Sequence, residues 1–173
     1  MCYARSKDGG MTWEKSSGEK YNLPITASTA EMAWKIPQKS SLINQTAMTT
    51  DQKGNPYIVS YWSENKIPQY QIVYLENGIW KKINTEFRKT PFYLGGGGTK
   101  QIPISRPDIF IANKGRYPMV YILFRDEERA NKISLAYTKL NKESIWKIVD
   151  LTSDSVGQWE PNYDISLWEK ENK

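Results

Sequence analysis

Short runs of apolar, aromatic and β-branched residues recur along the chain, each bounded by polar turn residues. One group comprises Thr46–Thr50, Tyr57–Trp62, Gln69–Tyr74 and Ile79–Ile83. A second comprises Asp108–Ala112, Met119–Phe124, Lys132–Tyr137 and Ser144–Val149. Runs of this length and composition between Gly, Pro, Asn and Asp clusters predict β-strands. Asn77-Gly78 joins the last two strands of the first group; both positions tolerate positive φ, which makes the pair a strong hairpin signal. Lys53-Gly54-Asn55-Pro56 and Lys114-Gly115-Arg116-Tyr117-Pro118 stand at matching places in the two groups.

The two groups are copies of one unit. Trp13, Trp80 and Trp146 recur at steps of 67 and 66 residues, each after a Tyr-bearing strand and a turn. Four antiparallel strands per repeat, rich in Trp and Tyr, mark the blades of a β-propeller. A β-sandwich is the rival all-β fold, but it gives no reason for the recurring Trp. The expectation is an all-β chain, a partial β-propeller of roughly three four-stranded blades from a larger ring. It divides into half a blade over 1–15, blades over 44–84 and 105–150, and the start of another over 158–173, with an opening strand near Tyr163–Leu167. Rings usually need 4–8 blades, so open sheet edges and self-association through them are expected.

Composition narrows the chemistry. The chain has no His and a single Cys2, which removes the commonest general base and excludes a zinc site; no metal or other cofactor is expected. A formal charge of +5 favours anionic partners. The charges are scattered, with no long run of one sign, so a solvated surface explains them equally well and no nucleic-acid partner is expected. No stretch approaches the roughly 18 apolar residues of a membrane span, and the first residues do not form a signal peptide. Gly95–Lys100 invites a phosphate-loop reading, but Thr99 precedes Lys100 and no helix-forming segment follows.

Ser6-Lys7-Asp8-Gly9-Gly10-Met11-Thr12-Trp13 resembles the Asp box, S-x-D-x-G-x-x-W, of bacterial neuraminidase-type repeats. Asp8 and Ser6 can bond turn amides there, Gly10 can take a conformation other residues resist, and Trp13 can fill the gap between sheets. Further stretches resemble the BNR-repeat, neuraminidase-like proteins whose relatives include ulvan-type polysaccharide lyases: Ile43–Thr46, Asp51–Pro56, Pro68–Tyr70, Pro103–Pro107, Phe124–Glu128 and Gly157–Pro161. The resemblance implies a seven-bladed propeller, usually exported to the periplasm or beyond, that acts on acidic, uronate-bearing polysaccharides or oligosaccharides. It implies lyase chemistry in the parent protein, with sialidase-like glycoside hydrolysis and non-catalytic sugar binding as alternatives.

Strand order locates a site. The first strand of each blade is innermost, so Asn44 and Gln45, then Ser105 and Arg106, then Trp159 and Glu160 should crowd the central funnel. For β-elimination, Arg106 would neutralise the uronate carboxylate through its fork, with Asn44 or Gln45 in support and Tyr61 or Tyr70 as acid or base. For hydrolysis, Glu160 would act as acid or base with Asp126 or Glu127 as the second carboxylate, and Arg106 and Arg125 would be what remains of a sialidase arginine cluster. Trp62 and Trp159 could stack on sugar faces. Arg106 tying neighbouring blades together through Glu160 or Asp126 is an open alternative.

Overall fold

The computed structural model describes residues 1–43, 45–95, 101–112, 117–140 and 145–171. Strands β1 (Cys2–Tyr3) and β2 (Glu31–Met32) pair as a short antiparallel ribbon. Strands β3 (Ala47–Thr50), β4 (Pro56–Ser63), β5 (Pro68–Glu76) and β6 (Ile79–Asn84) form a four-stranded antiparallel sheet in chain order. Strands β7 (Asp108–Ala112), β8 (Met119–Asp126), β9 (Lys132–Lys139) and β10 (Lys147–Asp150) form a second such sheet. Among the described residues the chain is all-β apart from a 3-10 turn at Glu127–Arg129 and one helix, α1 (Ile165–Glu171). No sheet closes on itself among the described residues.

Turn chemistry sets the register. Asp51 Oδ1 accepts from the backbone N–H groups of Lys53 and Asn55, both at 2.9 Å, and holds the β3–β4 turn closed. Asn77 and Gly78 both take positive φ, and Glu76 pairs with Ile79, so the β5–β6 hairpin turns in two residues. Such turns fix which face each side chain meets.

The two sheets stack face to face. Tyr57, Val59, Tyr61, Tyr70 and Ile72 from the first meet Ile109, Ile111, Val120, Ile122 and Phe124 from the second. The other face of the first sheet is also covered: Trp62 and Val73 pack with Tyr3 and Ala33 of the N-terminal segment. Because β4 and β5 are covered on both faces, they read as near-continuous apolar runs rather than clean alternations.

Trp80 and Trp146 hold related positions. Trp80, in β6, meets Tyr3 edge-on at 5.1 Å and donates from Nε1 to Glu31. Trp146, just before β10, meets Phe87 edge-on at 5.3 Å. Trp13 lies in no strand, and its Nε1 donates back to Gly10 O at 3.1 Å. The opening strand expected near Tyr163–Leu167 is instead the start of α1. Asp164 Oδ1 accepts from Leu167 N–H at 2.8 Å, an N-terminal cap. Trp168 then lies 4.5 Å from Phe110, and with Tyr163 it covers the outer face of the second sheet. The run at 96–100 and residues 114–116 of the expected 114–118 turn, together with Asn44 and Ser144, lie outside the described residues.

The Ser6–Trp13 turn is self-contained. Ser6 Oγ accepts from Gly10 N–H at 2.8 Å and donates to Asp8 Oδ1, also at 2.8 Å. Asp8 in turn accepts from the hydroxyl and backbone N–H of Thr12. These bonds, the Thr12 hydroxyl foremost, hold the Asp8 carboxyl down at about 2 against an ordinary 3.8. A depressed carboxylate stabilises the fold above its unfolded pKa and loses that contribution as pH falls through the folded one. An NMR titration should therefore show Asp8 ionised, with the Gly10 and Thr12 amides protected, until pH approaches 2. Titration of Asp8 near 4 would mean the turn is not held this way in solution.

Candidate functional site

A pocket of about 410 Å³ opens where the starts of β3 and β7 meet the segment around Glu160. Gln45, Arg106, Asp108, Glu160 and Asn162 supply its polar lining. The strands position each group: Gln45 lies two residues before β3, Arg106 two before β7, and Asp108 opens β7. Two prolines, Pro107 and Pro161, stiffen the junctions that carry Arg106 and Glu160.

Arg106 and Glu160 grip one another. The backbone N–H of Arg106 donates to Glu160 Oε1 at 3.0 Å and Nε donates to Oε2 at 2.6 Å. Nη2 completes an ion pair with the same carboxylate. Both guanidinium donors thus converge on Oε2 while the backbone N–H holds Oε1, a charge-assisted contact that fixes both oxygens of the carboxylate. Burial works against ionisation of Glu160, but the Arg106 hydrogen bonds outweigh it and hold its pKa below the ordinary value. Asp108 goes the other way: burial raises its proton affinity, and the nearby Glu160 charge adds to the rise. The pocket thus joins a carboxylate kept ionised to one inclined to keep its proton.

Tyr61 does not line the pocket, although it feels the charges of Glu160 and Arg106. It is fully buried, its hydroxyl has no hydrogen-bond partner among the described residues, and burial, with the Glu160 charge, pushes the phenol up. An acid or base that resists ionisation and has no exposed surface is poorly suited to proton transfer with a substrate. Tyr70 is placed deeper still. Its hydroxyl donates to the carbonyls of Ser105 at 3.1 Å and Arg125 at 3.3 Å, and burial holds its pKa well above the ordinary value. It bridges the two sheets and does not reach the pocket.

Other expected site residues have structural work. Trp62 is fully buried in the cluster behind the first sheet, so it offers no face to a sugar. Arg125 is 2% exposed, and its guanidinium donates to Ile102 O, Pro103 O, Trp159 O and Asn131 Oδ1. It ties three chain segments together rather than meeting a ligand. Asp126 is buried against Arg88, and Glu128 caps the backbone N–H groups of Lys89 and Thr90. Neither Asp126 nor Glu127 lines the pocket, so the second carboxylate beside Glu160 is Asp108. Trp159, next to Glu160, is 80% exposed and keeps a free aromatic surface. Sequence reasoning missed Asp108, although its place two residues beyond Arg106 was the available signal: on an extended chain such residues share a side.

Comparison with curated proteins gives no match. Residues 1–88 match the model of a BNR repeat-containing family member. That span takes in the Ser6–Trp13 turn, the N-terminal ribbon and the whole first sheet, and the chain belongs to the BNR repeat-containing family.

Proposed function

We propose that this chain handles carbohydrate as part of a sialidase-like β-propeller, and that the Arg106–Asp108–Glu160 pocket cleaves a glycosidic bond by acid–base chemistry. One observation carries the reading: two carboxylates in one pocket are driven in opposite directions, Asp108 toward the acid and Glu160 toward the anion. Glycoside hydrolysis needs that division of roles, one carboxyl to protonate the leaving oxygen and one charge to stabilise or activate the other side. Gln45 and Asn162 supply hydrogen bonds for sugar hydroxyls, and exposed Trp159 supplies a stacking face. The two consecutive four-stranded sheets, face to face, support blades over 44–84 and 105–150, with 1–15 and 158–173 belonging to their neighbours in a larger ring.

Elimination from a uronate is the second reading, and the geometry favours it less. Its Arg must face the substrate carboxylate, whereas the Arg106 fork is occupied by Glu160. Both candidate tyrosines are also sealed in the core.

The test is to incubate the protein with sialosides and with uronate-bearing oligosaccharides, following released reducing sugar and ultraviolet absorbance of unsaturated ends separately. Hydrolysis predicts reducing sugar without unsaturation. It also predicts that Arg106→Lys restores little of what Arg106→Ala loses, because a point charge does not replace the fork that holds Glu160. Unsaturated products would establish elimination instead. Saturable binding with no product of either kind would make the pocket a binding site only.

A further inference from the structure

The face of the first sheet turned away from the two-sheet core carries polar groups that no described residue satisfies. Gln71, in the middle of β5, is 1% exposed, yet neither Oε1 nor Nε2 has a hydrogen-bond partner; the same holds for Nε of Arg88. The Ser60 hydroxyl lies opposite Gln71 in the strand register and does not bond it either. Buried amides and guanidinium groups are almost always paired, so such a set calls for a partner from outside the chain, ordered water or the polar groups of a ligand that displaces it.

Gln71 and Arg88 line a pocket of about 270 Å³ whose other polar walls are Glu64, Asn65, Asn84 and Glu86. It is distinct from the Arg106–Glu160 pocket and shares no lining residue with it. Arg88 is fixed there by Gln69, whose amide donates to Arg88 O at 2.6 Å and accepts from Arg88 N–H at 2.9 Å.

Charge selects the ligand. The Arg88 guanidinium is already neutralised by Asp126 on Nη1, with Glu127 and Glu128 at 3.4 and 3.6 Å from Nη2. Glu64 is paired with Lys82 at 2.5 Å, and Glu86 makes no ion pair among the described residues. An anion would meet the Glu64 and Glu86 carboxylates without a free positive charge to hold it. No cluster of three or more metal-ligating side chains exists among the described residues to favour a metal ion. What remains free is a mixture of amide donors, amide acceptors, a guanidinium N–H and carboxylate oxygens, beside the apolar side of Ile67. A sugar hydroxyl both donates and accepts, and a sugar ring pairs such hydroxyls with an apolar C–H face.

We infer that this pocket is a second ligand site, one that takes a neutral, polyhydroxylated ring of about monosaccharide size, with Asn65, Asn84 and Glu86 as its open contacts and Gln71 at its floor. The inference stands on the unsatisfied groups and is independent of whether the Arg106–Glu160 pocket hydrolyses anything.

The experiment is an amide-resolved NMR titration with glucose, galactose, mannose and N-acetylglucosamine, each up to high millimolar concentration. At least one sugar should produce saturable shifts centred on Gln71, Asn84 and Glu86, with a millimolar Kd. Gln71→Leu should weaken it by about tenfold or more without lowering Tm, since an apolar side chain of similar size leaves no unpaired buried amide. Asn65→Ala, on the exposed rim, should weaken it several-fold and serves as the deciding variant if Gln71→Leu does not fold. Arg106→Ala should leave the affinity for that sugar unchanged. The inference is overturned if no sugar gives saturable shifts there, if binding is equal in Gln71→Leu or Asn65→Ala, or if Arg106→Ala abolishes it.

Discussion

Arg88→Met should lower the free energy of unfolding by about 3–5 kcal/mol at neutral pH, as expected when one partner of a buried ion pair is removed. The Arg88 side chain has no exposed surface, and its Asp126 partner is 3% exposed. Nη1 meets the carboxylate directly, while Asp126 also accepts from Glu128 N–H and so caps the 3-10 turn at Glu127–Arg129. Burial already raises the Asp126 pKa, and Arg88 is the main influence opposing that rise. Without Arg88 the folded pKa climbs further above the unfolded one, and the cost of the buried charge is felt at pH values above it. As pH falls, Asp126 takes up a proton and the gap between variant and parent should narrow. Arg88→Met with Asp126→Leu should recover part of the loss, because an apolar pair can replace a buried ionic one. The recovery should be incomplete, since the cap on the turn goes too. Urea unfolding across pH measures all three effects. A loss below about 1 kcal/mol would show that the pair is hydrated and comparable to a surface contact.

The strands of both sheets were legible because their signals are local. The Asp51 turn and the Asn77-Gly78 hairpin each act over a few residues, and the strands lie within a few residues of their expected ends. The helix at Ile165–Glu171 was misread because a short apolar run reads equally as strand or helix. What decides it is the Asp164 cap and the docking of Trp168 on Phe110, and the second of these depends on a strand some sixty residues earlier. The site was partly legible for a related reason. Gln45 and Arg106 come together because each stands just before the first strand of its sheet, as the repeat leads one to expect; Glu160 lines the same pocket although a helix, not the expected strand, follows it. Burial depth does not follow from the repeat. Both Tyr61 and Trp62 were expected to reach a ligand, but they point to opposite faces of β4 and both faces are covered. Arg125 carries the residue type of an anion clamp, and only the three-dimensional course of residues 102–103 and 159 shows that backbone carbonyls take its donors.

Asp108→Asn should lower the turnover of a glycoside with a poor leaving group by about 10²–10⁴-fold, the usual worth of a positioned general acid. The size of the loss should depend on the substrate. A glycoside whose leaving group departs without a proton needs no acid, so Asp108→Asn should cost it far less, and that contrast separates acid catalysis from a simple packing defect. The pH profile provides a second signature. An acid must be protonated to act, so the rate should fall as pH rises through the Asp108 pKa, which burial and the Glu160 charge hold above the ordinary carboxylate value. Glu160→Gln removes that charge. Asp108 then loses its proton more readily, and the descending limb should move to lower pH, on top of any loss of rate from Glu160 itself. Arg106→Ala should change a different limb. Freed from the hydrogen bonds that keep it ionised, Glu160 would titrate higher, and the rising limb should move to higher pH. Equal losses of rate for good and poor leaving groups, or limbs that stay in place in both variants, would remove Asp108 and Glu160 from the chemistry and leave the pocket a place where sugar binds.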